Sequence, residues 1–201
     1  MTSFDAYAKT WDADPMKVER ARMTANAMRA VLPLSPEMTA FEYGCGTGLL
    51  SFVLQSDFAA ITLADVSEGM LEVLAAKIAA AGVSNMVPLK LDLATDPLPR
   101  SRFDVTYSLM VLHHIPDIDF ILRQFHGLLK PGGWLAIADL DTEDGSFHVP
   151  PRSDVHPGFD RAVLQNQVET AGFRQVKFST IYEIQKNQRV YTVFLLTAQK
   201  V

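Results

Sequence analysis

The order of strand-like and helix-like runs constrains this chain more than any other feature. "MTAFEY", "AAITLAD", "MVPLKL", "FDVTYSLM" and "GWLAIADL" read as strands, and a helical run lies between most of them. Strands separated by a helix pair in parallel, and their crossovers place helices on both faces of the sheet. The last two runs, "RQVKFSTIYEI" and "RVYTVFLLTA", have only the polar turn "QKNQ" between them, so they form an antiparallel hairpin. Caps fix several helix ends. Asp14 precedes Pro15 at the start of the first helix, Pro33 ends it, and Ser67 opens a helix that stops at Gly82. The run "DIDFILRQFHGLL" is helical up to the turn signal "KPGG", and "FDRAVLQNQVETAGF" is helical as well.

Composition narrows the function classes. The 201 residues predict one domain with a substantial core. A net charge of −5 without any basic run gives no pull toward phosphate backbones, so no nucleic-acid partner is expected. Cys45 is alone, which excludes an intrachain disulfide and fits a reducing, cytoplasmic setting. The N-terminus lacks a signal layout, and no apolar run is long enough for a membrane span. The irregular stretches at 92–102 and 141–158 are too short for a second domain.

The segment "FEYGCGTGLLS" sits where the first strand passes into the next helix. In an open α/β sheet, ligands bind at the carboxyl ends of strands, and the first such turn lies there. Gly44 and Gly46 allow positive φ and a ligand against bare backbone; glycines used only for turning are the simpler alternative. Asp65 ends the second strand about twenty positions on, where a carboxylate can accept from both ribose hydroxyls. A nicotinamide-dinucleotide enzyme would use both features. However, the position its fingerprint reserves for a third glycine is Leu49 here, and Glu42 would oppose a pyrophosphate while suiting a cationic ligand.

In its ordered motifs over about residues 38–140 the chain resembles the class I S-adenosylmethionine-dependent methyltransferases, of the small-molecule type. "FEYGCGTG" is similar to the family's first motif, "LADVSEGML" to its second and "LKLDLATDPLP" to its third. "FDVTYSLMVLHHIPD" and "LLKPGGWLAIADL" resemble its fourth and fifth strands with the helix between. The resemblance implies a Rossmann-like three-layer α/β sandwich. Its seven-stranded mixed sheet would run 3-2-1-4-5-7-6 with strand 7 antiparallel. It implies one methyltransferase domain over 1–201: an N-terminal lid and helix to 37, a cofactor-binding core over 38–140, and an acceptor-side loop, helix and hairpin over 141–201. Asp65 would hold the ribose, Val66 would lie against adenine, and Asp92 would meet the adenine amino group with Leu93 beside it. Tyr7, Trp11, Glu42, Gly44, Cys45, Gly46, Met70 and Ser108 complete the implied cofactor contacts. The product would be S-adenosylhomocysteine.

Transfer from a sulfonium is an in-line displacement that depends chiefly on alignment, and an oxygen nucleophile adds the need for a base. His113, after the fourth strand, and His148, in a loop expected to close over the acceptor, are the catalytic candidates. Support of the cofactor loop, packing and solvation are the competing roles for such histidines. Tyr7 and Trp11 are an aromatic lid or a staple onto the first helix. No metal ligands are expected, because Asp141, Glu143, Asp144, His148 and His156 match no ligand spacing. The tetrad after the fourth strand is "SLMV", which lacks the N/D-P-P-Y/F pattern of the family's nucleic-acid and glutamine enzymes. A small-molecule acceptor is therefore expected, for a monomer or homodimer. A cofactor-holding module without catalysis and a nicotinamide oxidoreductase stay open as alternatives.

Overall fold

A computed structural model describes residues 4–150 and 152–201. Its seven strands are β1 (Thr39–Tyr43), β2 (Ala60–Asp65), β3 (Met86–Lys90), β4 (Phe103–Leu109), β5 (Leu129–Leu140), β6 (Phe173–Lys186) and β7 (Arg189–Lys200). They form one sheet in the order β3-β2-β1-β4-β5-β7-β6. β7 runs antiparallel to both β5 and β6, and every other pairing is parallel. The order expected from the resemblance holds.

The five helices are α1 (Pro15–Val31), α2 (Leu49–Leu54), α3 (Glu68–Ala81), α4 (Ile118–Leu128) and α5 (Arg161–Thr170). Alternating strand residues separate the core into two layers, as the period of two requires. Ala136, Ala138, Val193 and Leu195 face α1, α2 and α3, whereas Leu135, Ile137, Phe194 and Leu196 face α4 and α5. The predicted caps form. Asp14 accepts from Met16 N and Ser67 from Met70 N, and Gly82 ends α3 in the left-handed region; Asp117, not foreseen as a cap, accepts from Phe120 N.

Two boundaries differ from the sequence reading. "KPGG" does not separate α4 from a strand beginning at Gly133, because β5 already starts at Leu129. Its pairing with β4 jumps from Leu129 to Trp134 while β4 advances only from Phe103 to Val105. The turn signal is spent on this bulge, which Lys130 fastens to Asp104 at 2.8 Å. The terminal turn is tighter than "QKNQ": only Asn187 and Gln188, both at positive φ, connect β6 to β7. Two such residues in succession suit the primed turns that match strand twist.

Candidate functional site at the carboxyl ends of the strands

The glycine loop is tied to its neighbours by backbone. Gly44 and Cys45 N–H groups donate to Ala64 O at 2.8 and 3.0 Å, and Gly48 N donates to Cys45 O at 2.8 Å. Asp65 closes the arrangement. Its carboxylate accepts from Gly46 N at 2.7 Å and from Ser67 N at 2.8 Å, although the residue is only 8% exposed. Burial raises its pKa, and the N–H bonds oppose that shift. Gly44 and Gly46 differ in role. A Cβ on Gly44 would lie 2.3 Å from Val111 Cγ2, whereas one on Gly46 would meet nothing nearer than Trp11 Nε1 at 3.8 Å. Gly44 is thus required by packing, whereas a Cβ on Gly46 would make only ordinary van der Waals contact with Trp11 and Met70; both glycines are at positive φ.

This contrast separates the turning role from the binding role. Gly44→Ala is expected to lower stability by several kcal/mol, through clash and positive φ together. Gly46→Ala is expected to cost about 1 kcal/mol of stability and far more in cofactor affinity. Thermal unfolding and calorimetry on both variants check this. Equal binding by Gly46→Ala and wild type would make the loop a turn alone.

A 3-10 helix, Asp5–Ala13, lies across this loop. Asp5 accepts from Ser67 Oγ at 2.6 Å and from Gly69 N at 3.1 Å. Asp12 takes Thr47 Oγ1 and Lys77 Nζ, the latter at 2.6 Å. Trp11 faces Gly46, with Lys17 Nζ 3.7 Å above its ring and Phe4 edge-on at 6.1 Å. Tyr7 does not join it and is 61% exposed. Three residues per turn set positions four apart about 120° away from each other, so the expected aromatic pair faces two ways. A staple of both rings onto α1 is excluded for the same reason.

The remaining predicted cofactor residues divide between the rim and the wall. Val66 is 38% exposed at the rim, and Met70 is buried with its sulfur 4.0 Å from a Cβ built on Gly46. Asp92 caps its own turn through Ala94 N at 2.9 Å, and Leu93 N donates to Tyr43 Oη at 3.3 Å. Ser108 Oγ, at the end of β4, is buried without a partner. The Cys45 thiol is buried, and that burial pushes it up. Glu42 faces inward. It accepts from Ser51 Oγ, which also meets Tyr107 Oη at 2.6 Å.

Burial lifts the Glu42 carboxyl to about 8, against the Ser51 hydrogen bond. The unfolded chain releases this proton near 4.5 and the folded one near 8, so the stability it contributes is present below 4.5 and is lost as pH rises through about 8. The loss across that window is on the order of a few kcal/mol. Glu42→Gln is expected to flatten the dependence in urea unfolding at acidic and alkaline pH. An unchanged slope would remove Glu42 as its source.

The acceptor side is built from the ends of β4 and β5, which are neighbours in the sheet. Asp139 is fully buried at the end of β5 and binds His113 Nδ1 at 2.6 Å. Burial raises the Asp139 carboxyl, but attraction to His113 and three hydrogen bonds bring it below the ordinary carboxylate value. His113 is 1% exposed, and its ring centroid lies 4.1 Å from that of His114 and 5.4 Å from that of His148. Burial pushes His148 down to about 4 and His114 to about 3, with the neighbouring His113 adding to both shifts. On α1, Arg20 Nε is buried without a partner; burial lowers this guanidinium while Asp139 and Asp14 counteract.

Described residues of the loop after β5 are anchored to the β6–β7 hairpin. Lys186 Nζ donates to Phe147 O at 2.6 Å, Ser146 Oγ meets Tyr191 Oη at 2.7 Å, and Arg189 grips Asp144. His156 is structural: its N–H donates to His113 O and its Nε2 meets Ile115 O at 2.9 Å. The β6–β7 hairpin reaches far enough past the sheet edge to supply most of these anchors. The acidic cluster considered from sequence is therefore spent on loop structure. The described residues instead gather His113, His114 and His148, with one ring nitrogen of each within 4.8 Å of the others.

Sequence reasoning missed Asp139, Arg20, and the clasp of Asp5, Asp12 and Lys77. The available signal for Asp139 was topological. A carboxylate ending β5 must lie beside whatever follows β4, because those strands are adjacent.

Comparisons with known proteins agree with this architecture. A methyltransferase-domain family model matches residues 41–135. The chain is 31% identical over 134 residues to a 27-O-demethylrifamycin SV methyltransferase of Amycolatopsis mediterranei, which covers 65% of this chain and 49% of that protein. It thus spans about half the length of that relative. An uncharacterized methyltransferase of Mycobacterium bovis is 29% identical over 163 residues, 80% of each chain. Haemonchus contortus phosphoethanolamine N-methyltransferase 2, solved with S-adenosyl-L-methionine, superposes with a TM-score of 0.73 at 14% identity, over all of this chain and 60% of its own. No helix among the described residues is long and apolar enough to cross a membrane. The sheet order, the matched domain and these relatives support a class I S-adenosylmethionine-dependent methyltransferase.

Proposed function

We propose that the chain transfers a methyl group from S-adenosylmethionine to a small-molecule acceptor. The observation that carries this reading is the shared edge. The Gly46–Asp65 cradle and the His113–Asp139 pair both lie at the carboxyl ends of adjoining strands. The residues present suit the cofactor. Gly46 presents bare backbone beside Trp11 and Met70, and Ser108 offers a buried hydroxyl with no partner. Asp65 offers a carboxylate where ribose hydroxyls would replace the Gly46 and Ser67 N–H groups. When bound, S-adenosylmethionine supplies an activated methyl on its sulfonium. The Asp5–Ala13 helix excludes water over the cradle. Asp139 fixes the His113 ring through Nδ1 and leaves Nε2 to take the acceptor's proton as the new bond to carbon forms. Arg20, unpaired on the same side, suits an oxygen-rich or anionic acceptor.

The curated relatives support a small-molecule acceptor, since the rifamycin enzyme's name describes one. Incubating the chain with methyl-labelled cofactor and a cell extract tests the proposal. Label is expected in a low-molecular-weight product. Cofactor binding with no transfer to any fraction would leave a holding module.

His148→Ala is expected to lower turnover about tenfold and to leave cofactor affinity within twofold, because the ring touches His113, His114 and Phe147 and not the glycine loop. Calorimetry and rate measurement on this variant check it. Lost cofactor binding would place His148 in the other half of the site.

A further inference from the structure

Three imidazoles from two separate segments converge on one point. His113 and His114 close the short turn after β4, and His148 comes from the pinned loop after β5. One ring nitrogen of each lies within 4.8 Å of the other two. His113 spends Nδ1 on the buried Asp139, which leaves Nε2 as its ligand-capable atom. His148 Nε2 is buried and has no hydrogen-bond partner. Leaving such an atom unpaired costs about 1–3 kcal/mol, so the geometry is better explained by a ligand than by packing.

The chemistry of the set is specific. Three neutral imidazoles with one open position suit Zn²⁺, and other late divalent ions of the first row follow the same preference. A carboxylate on the far nitrogen of a ligating histidine is the usual support, because it fixes the ring and raises its basicity. Asp139 stands in that position for His113. Ligand nitrogens around tetrahedral zinc sit roughly 3.3 Å apart for bonds of about 2.0–2.1 Å, so the rings need to draw together by up to about 1.5 Å. Lys186 and Arg152 also face His148 and oppose a cation. Lys186 is turned onto Phe147 O, and Arg152 is paired with Asp154, while Asp139 adds a buried negative charge.

We propose that His113, His114 and His148 bind one divalent transition-metal ion of the Zn²⁺ type, with a fourth position left for water or an acceptor oxygen. The site shares His113 with the reading given above. The ion and the acceptor's proton compete for the same Nε2 lone pair, so a loaded chain cannot use His113 as a base. Metal loading therefore suppresses transfer that relies on that base.

The test titrates Co²⁺ into the chelator-stripped chain with neither cofactor nor acceptor present, and reads visible absorption. One equivalent is expected to bind with an intense tetrahedral spectrum that Zn²⁺ abolishes. His114→Ala and His148→Ala are each expected to weaken binding by more than tenfold, and Asp139→Asn by about 10–100-fold. His156→Ala, which alters a loop anchor, is expected to bind like wild type. If an alanine variant fails to fold, glutamine at that position carries the same expectation. Absence of saturable binding, or affinities unchanged in the His114 and His148 variants, overturns the site. Metal binding by a chain that transfers no methyl group even when freed of metal keeps the site and removes the proposed function. Transfer that rises with added Zn²⁺ keeps the site and removes His113 as the base.

Discussion

Asp139→Asn is expected to lower methyl transfer by about 10²–10⁴-fold in chelator-treated protein while the fold and cofactor affinity persist. The amide keeps the volume of a side chain that is fully buried, so no cavity opens. It loses the charge that holds His113 Nδ1 and can present N–H to that nitrogen, which turns the ring into the wrong tautomer. His113→Ala removes the same function directly and is expected to match it. A double variant no slower than either single one would show that the two residues act as a unit. The check is turnover of the acceptor recovered from the labelling experiment. Normal rates in both single variants would leave alignment alone as the account of catalysis.

Asp65→Ala is expected to weaken binding of S-adenosylmethionine and S-adenosylhomocysteine alike by roughly 1.5–3 kcal/mol, or about 10–150-fold. The adenosine half is common to both ligands, so a ribose contact cannot distinguish them. The same carboxylate holds Gly46 and Ser67 N–H in the free protein. Its removal is therefore expected to cost a further 1–3 kcal/mol of stability, visible in urea unfolding. Asp65→Asn keeps one acceptor oxygen and the side-chain volume, and is expected to fall between the two. An unchanged dissociation constant in either folded variant would show that Asp65 serves the loop and not the ribose.

Much of the fold was readable because its signals are local. Asp14 and Ser67 cap helices whose first turns need acceptors, and Gly82 takes a conformation that other residues avoid. The antiparallel ending followed from the absence of any helix between β6 and β7. "KPGG" misled because a turn signal states that the chain bends, not whether the strand resumes beyond the bend. The N-terminal 3-10 helix was invisible to a search for a period of 3.6. Its partners, Ser67, Gly69, Thr47 and Lys77, are far away in sequence.

Site legibility followed the same division. The glycine loop and Asp65 stand out because each backs a specific requirement, close backbone approach or a strand-end carboxylate. Glu42 read in the sequence as a charge suited to a cationic ligand, yet burial keeps its carboxyl protonated at neutral pH and its contacts are Ser51 and, through it, Tyr107, which only packing of β1 against α2 and β4 decides. His113 and His148 were singled out separately, and their convergence with His114 depends on where two loops end. The pinned loop went unrecognised because its anchors come from the β6–β7 hairpin, whose reach depends on strand length.

The central claim is that the glycine loop and Asp65 form an adenosylmethionine site. Calorimetric titration of the wild-type chain with S-adenosylmethionine, S-adenosylhomocysteine and NAD in parallel tests it most directly. The account predicts saturable one-to-one binding of the first two and none of the third, with binding lost in Gly46→Ala. Saturable NAD binding without adenosylmethionine binding would contradict it.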